Sequence, residues 1–540
     1  MRIAVAQINP VLADFQFNKE KILDFVNQAV QRKCDLVVFP ECTLFGYHPF
    51  DLLEREKLVA KQESEFKDLI KKLPKNIGVI MGLITKNPAK KGRPYFNSAA
   101  LIAKGEKPRF FHKQLLPTGD VFDEARFIES GDLSKNYFKW KGKKFFLTIC
   151  EDIWAWPDAK GNSPYRENPL SKVKKQKIDM VINLSASPYF VGKMKQREYV
   201  TQKTAAYFNA PIMYVNLVGA QDEIIFDGGS FVLDKKGKKL LTCQQFSEDI
   251  NVIDLNTQEV WNKNPKLEAI EELRRALVLG IRDFCEKTGI KKVHLGLSGG
   301  IDSAVVAALA VDALGPANVV GVGLPGPFNA PQSLTLAKDL ASNMGVDFKT
   351  VEIGPMYESV LKALNKGLGL EGFSIVNENL QARLRGLTLM AWSNKENSML
   401  LTTGNKSEYA SGYSTLYGDM CGGLAPLGDL TKAQVYALAR YYNKQGEVIP
   451  QEIIDRPPSA ELRPNQKDQD SLPEYDDLDK AVTYLVEKSG PAKSATEKWL
   501  LPVLMRTEFK RWQAPPILKV SQHSFGRGRR YPVAHRAREI

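Results

Sequence analysis

VHLGLSGGIDS, at residues 293–303, carries three kinds of local structure in one short run. Val293, Leu295 and Leu297 alternate as in a buried strand. Ser298-Gly299-Gly300-Ile301-Asp302-Ser303 follows, and then an Ala/Val-rich run, Ala304 to Leu314, that stops at Gly315 and reads as a helix. A strand therefore passes through a Gly-Gly turn into a helix N-terminus. Glycines let backbone approach a ligand, and the first N–H groups of a helix lack internal partners. Such a place attracts phosphate. Ser298 and Ser303 add hydroxyl donors. Asp302 is an acid beside the expected phosphate, which calls for a cation between them, and Mg²⁺ suits that role. No GxxxxGK[ST] is present, so the loop is not of the Walker type.

A plain Gly-Gly turn would explain the glycines but not the two serines and the acid. SGGIDS resembles the signature of the ATP pyrophosphatase (PP-loop) enzymes. The resemblance implies a loop that holds the pyrophosphate of ATP. It also implies a reaction in which AMP is placed on a substrate oxygen and displaced by a nitrogen or sulfur nucleophile.

The chain has 540 residues, enough for two or more cores, with 43% hydrophobic and 25% charged residues, as in ordinary globular proteins. A net charge of +13 suits anionic ligands such as nucleotides, and also RNA. MRIAVAQINPV has no signal-peptide stretch, and no run is long enough to span a bilayer, so no membrane partner is expected. Cys34, Cys42, Cys150, Cys243, Cys285 and Cys421 are scattered without a CxxC, which speaks for a reducing, cytoplasmic setting.

In the first half, short apolar runs repeatedly end in polar residues. Ile3–Gln7 reads as a strand and Asn18–Arg32 as an amphipathic helix. Leu36–Phe39 runs into Pro40-Glu41, Arg109–His112 into Lys113, Phe145–Ile149 into Cys150-Glu151-Asp152, and Met180–Leu184 into Ser185-Ala186-Ser187-Pro188. Strands of one sheet would bring these ends to one pocket. An unperturbed thiol is mostly protonated at neutral pH and needs help to attack. An ammonium favours thiolate and can stabilise an oxyanion, and a carboxylate can carry the thiol proton to a leaving amine. Glu41, Lys113 and Cys150 supply these three groups. Cys150 alone would be read as a buried structural cysteine. With five histidines and no partner motif, a Cys–His dyad is disfavoured, and His112 falls on the opposite strand face from Lys113.

FPE at 39–41, KxxLP at 113–117 and CED at 150–152 resemble the nitrilase superfamily with its Glu-Lys-Cys triad. The likeness continues through Val121–Glu124, where that family often has a second glutamate, and Ser187–Lys193, and covers about residues 1–255. It implies an αββα sandwich and amide hydrolysis through a thioester.

Trp261–Lys266 (WNKNPK) is a polar break before a helical run from Leu267. It divides the chain into residues 1–260, nitrilase-like, and 261–540, the PP-loop half. Strand-like Val319–Leu324, Phe348–Ile353 and Met399–Thr403 then alternate with helical Ser333–Met344 and Asn377–Asn394. This α/β alternation predicts a doubly wound parallel sheet with ligands at the strand C-termini. Thr402–Glu408 sits at such an end, where Glu408 could complete a metal site with Asp302. NLQARLR at 379–385 is a basic helix face that, taken alone, is a solvated surface.

ENLQARLRG (378–386), LLTTGNKSE (400–408), TLYGDMCGG (415–423), RPPSAELRPNQKD (456–468), QAPP (513–516) and FGRGRRYP (525–532) are similar to the glutamine-dependent NAD synthetase family. With the nitrilase-like half, this resemblance covers essentially the whole chain. It implies hydrolysis of L-glutamine in the first half and adenylation of deamido-NAD by ATP and Mg²⁺ in the second. Ammonia passing through the protein then displaces AMP and gives NAD. It places ATP on Gly296, Leu297, Ser298, Gly299, Gly300, Ile301, Asp302, Ser303 and Thr403. It places deamido-NAD on Asn379, Glu408 and Lys510, glutamine on Gly119, Ser187 and Lys193, and Mg²⁺ on Asp302 and Glu408. A homo-oligomer is also implied.

Two segments depart from the family pattern. Pro325–Ala330 (PGPFNA) replaces a hydroxyl-rich Pro-Ser-x-Tyr-Ser-Ser, and Gly119 stands where a tyrosine is common, leaving only backbone for glutamine. Three rival readings remain. A tRNA-modifying PP-loop enzyme leaves the Glu-Lys-Cys half without purpose. A dead nitrilase-like scaffold conflicts with the intact triad. An amidotransferase for another acid, such as xanthosine monophosphate, is disfavoured by the second-half motifs.

Overall fold

The first strand, Arg2–Gln7, is buried on both faces, and its alternation assigns each face a layer. Ile3 and Val5 join Leu36, Val38 and Ile80 against Phe145, Leu147, Ile149 and Ile182 of a second sheet. Ala4 and Ala6 face outward, onto Ile22 and Val26 of the helix Phe15–Gln31. The computed structural model describes all residues except 90, 159, 258, 261–263, 265, 266, 371 and 538–540. They form two units, Met1–Leu267 and Glu268–Ile540. Apart from Asn264, the break expected at 261–266 lies outside the described residues.

The first sheet of the first unit runs in the order 249–254, 2–7, 36–38, 78–86, 95–102 and 109–112. The second runs 239–242, 231–233, 212–216, 180–185, 143–149 and 137–140. Helices Phe15–Gln31 and Glu56–Lys72 cover the outer face of the first. Helix Lys193–Phe208 covers the second through Val200 and Ala205, packed with Phe146, Val181 and Ile212. The result is the expected αββα sandwich. The four polar strand ends come from two facing sheets rather than one. They meet because the sheets are stacked: Glu41, after the 36–38 strand, accepts from the Ala186 N–H beyond the 180–185 strand at 2.8 Å.

The second unit holds a parallel sheet in the order 347–350, 319–323, 293–296, 399–400. The chain builds outward from 293–296 in one direction and returns to its other side with 399–400. The strand order therefore reverses where the SGGIDS loop begins, the position at which doubly wound sheets bind ligands. The helix Ile301–Leu314 is apolar on nearly every side, and residues Ala304 to Ala310 are all buried, so the loop's helix is a core element. The last strand is shorter than its apolar run because Leu401 already bridges to Leu424. Among the described residues, no helix is long and apolar enough to cross a membrane.

Candidate active sites

In the first unit, Lys113 Nζ donates to Glu41 Oε1 and to Glu124 Oε1, each at 2.8 Å, and none of the three side chains is more than 2% exposed. Glu41 also accepts from Asn97 Nδ2 at 2.7 Å, so both of its oxygens are held. Tyr47 Oη fixes Glu124 Oε1 at 2.7 Å. Burial and the neighbouring Glu124 raise Glu41 above the usual carboxylate range despite Lys113. Burial acts the same way on Glu124, but Lys113 and His48 outweigh it and hold that carboxyl low. Two carboxylates sharing one ammonium are thus pulled apart, the pattern of a proton carrier beside a fixed anion. Burial opposes the Lys113 charge, yet Glu124 and Glu41 keep it well above the ordinary lysine value.

Cys150 ends the strand Lys143–Ile149 and opens the short turn Cys150–Ile153 with φ +44°, a left-handed conformation unusual for a side chain with a Cβ. Burial and Glu41 push the Cys150 thiol up, and the pull of Lys113 does not compensate. Burial thus works against the thiolate that the ammonium alone would favour, and the carboxyl of Glu41, itself raised, is the group placed to take the thiol proton. Gly82 makes room for this site. A Cβ there would meet Cys42 N at 2.1 Å and Glu41 Cα at 2.7 Å, so the strand can pass behind Glu41 only without a side chain.

Cys42 is buried and donates to Asn97 Oδ1 at 3.6 Å, and His112 turns to Ser98 and Phe96, away from Lys113. Ser187 is buried, its Oγ taken by Arg197 Nε at 3.1 Å and its N–H by Asn216. Lys193 Nζ lies 3.9 Å from the Trp154 ring centroid, and burial lowers it to about 8. Gly119 sits in the hairpin formed by 118–119 and 122–123 with φ +106°, and a Cβ on it would meet nothing within 4 Å. Glu151, held by Tyr165 Oη at 2.7 Å, is a further carboxyl pushed up by burial beside Cys150, and sequence reading passed over it.

In the second unit a cavity of about 370 Å³ is lined by Gly296, Leu297, Ser298, Gly300, Ile301, Asp302 and Ser303, and also by Thr403 and Glu408. Gly299, with φ +76°, lies against the next helix instead, where a Cβ would meet Ser333 O at 2.3 Å. Ser303 Oγ donates to Gly300 O at 3.0 Å and ties the turn to the helix it opens. Asn405 joins the two candidate metal ligands. Its Nδ2 donates to Asp302 Oδ1 at 3.0 Å, and its Oδ1 caps the Glu408 N–H at 3.0 Å. Lys432, which no motif singled out, reaches Asp302 Oδ2 at 2.5 Å and Glu408 Oε1 at 3.7 Å. Burial and Asp302 push Glu408 up to about 8 against the pull of Lys432, so one ammonium does not suffice to keep both carboxyls ionised near neutral pH.

The altered PGPFNA segment replaces hydroxyls with an amide. Asn329 Oδ1 accepts from Gly326 N at 2.7 Å and from Arg385 Nη2 at 2.8 Å, and Asn329 Nδ2 donates to Glu461. Arg385 therefore lines the cavity, with burial lowering it to about 10, rather than belonging to a solvated face. Asn379 and Lys510 do not line that cavity. Asn379 Oδ1 accepts from Thr415 Oγ1 at 2.8 Å, and Lys510 Nζ donates to Gly412 O and Ser414 O, both at 2.7 Å. Both brace the loop after Glu408.

An αββα unit with a buried Glu-Lys pair beside a cysteine is a carbon–nitrogen hydrolase. A Gly-rich strand–turn–helix at the switch point of a parallel sheet is where doubly wound nucleotide-binding proteins hold their ligand. The carbon-nitrogen hydrolase family matches residues 2–262, and the NAD synthase family matches 273–513. The glutamine-dependent NAD(+) synthetase of Synechocystis sp. is 43% identical over 98% of this chain and 98% of its own. That of Aquifex aeolicus is 36% identical over 99% of each. The solved glutamine-dependent NAD+ synthetase from Acinetobacter baumannii, in complex with adenosine diphosphate, is 35% identical and covers 98% of both chains with a TM-score of 0.78. The Cytophaga hutchinsonii structure, 21% identical, shares the fold over 99% of this chain and 97% of its own, with a TM-score of 0.80. The chain belongs to the glutamine-dependent NAD(+) synthetase family.

Proposed function

We propose that Glu41, Lys113 and Cys150 release ammonia from L-glutamine and that the loop around Asp302 uses ATP to activate deamido-NAD for it. The enzyme makes NAD by ATP-dependent amidation of deamido-NAD. Cys150 Sγ attacks the glutamine carboxamide carbon while Glu41 takes the thiol proton. Lys113 stabilises the oxyanion, and Glu41 returns the proton to the departing ammonia. Water then hydrolyses the thioester to glutamate. Ser187, Lys193 and the backbone of Gly119 hold the glutamine.

In the second unit the nicotinate carboxylate attacks the α-phosphorus of ATP, and pyrophosphate leaves. Ammonia adds to the acyl carbon, AMP departs, and the amide remains. Residues Gly296–Ser303 with Thr403 cradle ATP, and Asn379, Glu408 and Lys510 take deamido-NAD. Two carboxylates plus phosphate oxygens are donors that suit Mg²⁺, and the raised Glu408 favours a cation there. Asp302 and Glu408 would hold the metal, whose charge neutralises phosphate oxygens. Lys432 supplies a fixed cation beside them.

The observation that carries this reading is the buried Glu41–Lys113 pair beside Cys150, in the same chain as a phosphate loop at a sheet switch point. The domains are assigned to residues 1–260 and 261–540. Unpaired cysteines throughout support a cytoplasmic setting. Exposed Ile375, Leu387, Tyr417 and Trp512 support a homo-oligomer, which light scattering would test. No role for nucleic acid is assigned. The deciding experiment is product analysis with deamido-NAD, ATP and glutamine, expecting equal amounts of NAD, AMP and glutamate. Amidation of xanthosine monophosphate in its place, or salt-sensitive tRNA binding with modification, would replace this reading.

A further inference from the structure

We propose that Asp152 is a positioning residue for glutamine hydrolysis, a single carboxylate that sets the Cys150 turn and the Lys113 loop against each other. The proposal rests on the assignment of Cys150 and Lys113 above. Asp152 is fully buried, and both of its oxygens are in use. Oδ2 accepts the Ile149 N–H at 2.9 Å, on the residue before Cys150. Oδ1 accepts the Gln114 and Leu115 N–H groups, each at 2.9 Å, on the two residues after Lys113.

The two loops come from different sheets, so no strand ladder fixes one against the other. Lys113 itself is held within its own sheet and its flank: its N–H donates to Asn97 O at 2.9 Å, and its carbonyl accepts from Gly131 N–H at 2.7 Å. Asp152 adds the link across. Its side chain returns to the backbone of Ile149, which steadies the strand end just before the left-handed Cys150. The same group anchors the chain leaving Lys113. A shift of either loop moves the thiol relative to the ammonium.

The carboxylate form meets this demand, because it offers two acceptor oxygens and no donor; burial raises Asp152 to about 7, and the three N–H groups pull it back toward the ion. Asparagine has the same shape but turns an NH₂ toward one set of N–H groups, so one side of the bridge opens. Misplacement of a catalytic group by about 1 Å can cost about 10²-fold in rate.

The test is Asp152→Asn in the full chain, assayed for glutaminase kcat and KM and for NAD formation from ammonium chloride. The expected result is a kcat lower by about 10²-fold, with KM for glutamine within about threefold of wild type and ammonium-dependent synthesis unchanged. A kcat within about threefold of wild type overturns the proposal. So does a rise in KM with kcat unchanged. Should this variant not fold, Leu115→Pro removes one of the three donors and leaves the carboxylate. A selective fall in glutaminase kcat is expected there too, and an unchanged kcat overturns the link. Cys150→Ala separates the underlying assignment: if it still hydrolyses glutamine, the assignment of Cys150 fails, whatever Asp152 does.

Discussion

Lys113 Nζ stands 2.8 Å from Glu41 Oε1, and neither side chain has exposed surface. The ammonium therefore holds two jobs that one substitution removes together. It offsets two buried carboxylates and, in the proposed mechanism, is the donor to the oxyanion. Lys113→Met keeps the bulk and removes both. Loss of an oxyanion donor costs about 10²–10³ in rate, so glutamate release should fall at least that far. Breaking a buried pair costs about 3–5 kcal/mol, so the thermal midpoint of the first unit should fall as well. Glutaminase activity within about tenfold of wild type would remove Lys113 from the catalytic set.

Cys150→Ala should separate the two reactions. The side chain is small and sits at a strand end, so the fold should persist. Glutamine should no longer support NAD formation, and high ammonium chloride should restore it. Both rates are read on the same preparation. Loss of both in folded protein would tie Cys150 to the synthetase reaction. Retention of both would point to another nucleophile, with Cys42 next in line.

Asp302→Ala and Glu408→Ala should each abolish AMP formation even with ammonium supplied, while glutamine hydrolysis survives at least in part. The two acids share Asn405 and Lys432, so removal of either leaves the other in an altered charge balance. Normal synthesis by both variants would end their assignment to the metal.

Glutamine capture should depend on pH through Lys193. Burial lowers this group to about 8, aided by Arg197 and opposed by Glu151, Cys150 and Asp120. It is a cation below that value and neutral above it. The kcat/KM for glutamine, which reports the free enzyme, should therefore fall as pH rises through about 8. Lys193→Met should lower kcat/KM and flatten this limb. An unchanged limb in that variant would assign it to another group.

Much of this was readable where adjacent residues carry the signal. Glu41, Lys113 and Cys150 each follow an apolar run, and the SGGIDS loop follows its strand directly. What could not be read were links between distant segments. Lys432 reaches Asp302 across 130 residues, and Asn97 reaches Glu41 across 56, with no local pattern to mark either. The stacking of two sheets was equally hidden, since strand ends read the same in one sheet or two. Arg385 belonged to an apparently solvated helix face until Asn329 and Leu324 O took up its guanidinium. The balance of charge at Cys150 also escaped sequence reasoning, because burial outweighs the lysine.

Gly299 touches the backbone of Ser333 with no room for even a methyl group between them. The turn that is to grip the pyrophosphate thus rests directly on the first turn of the helix Pro331–Met344. A push on that helix is delivered to the turn without a side chain to absorb it. Substitution of Leu336 or Leu340, buried on this helix and outside the cavity lining, should therefore change the Kd for ATP. The second unit can in this way be tuned from its flank, with the SGGIDS sequence itself untouched.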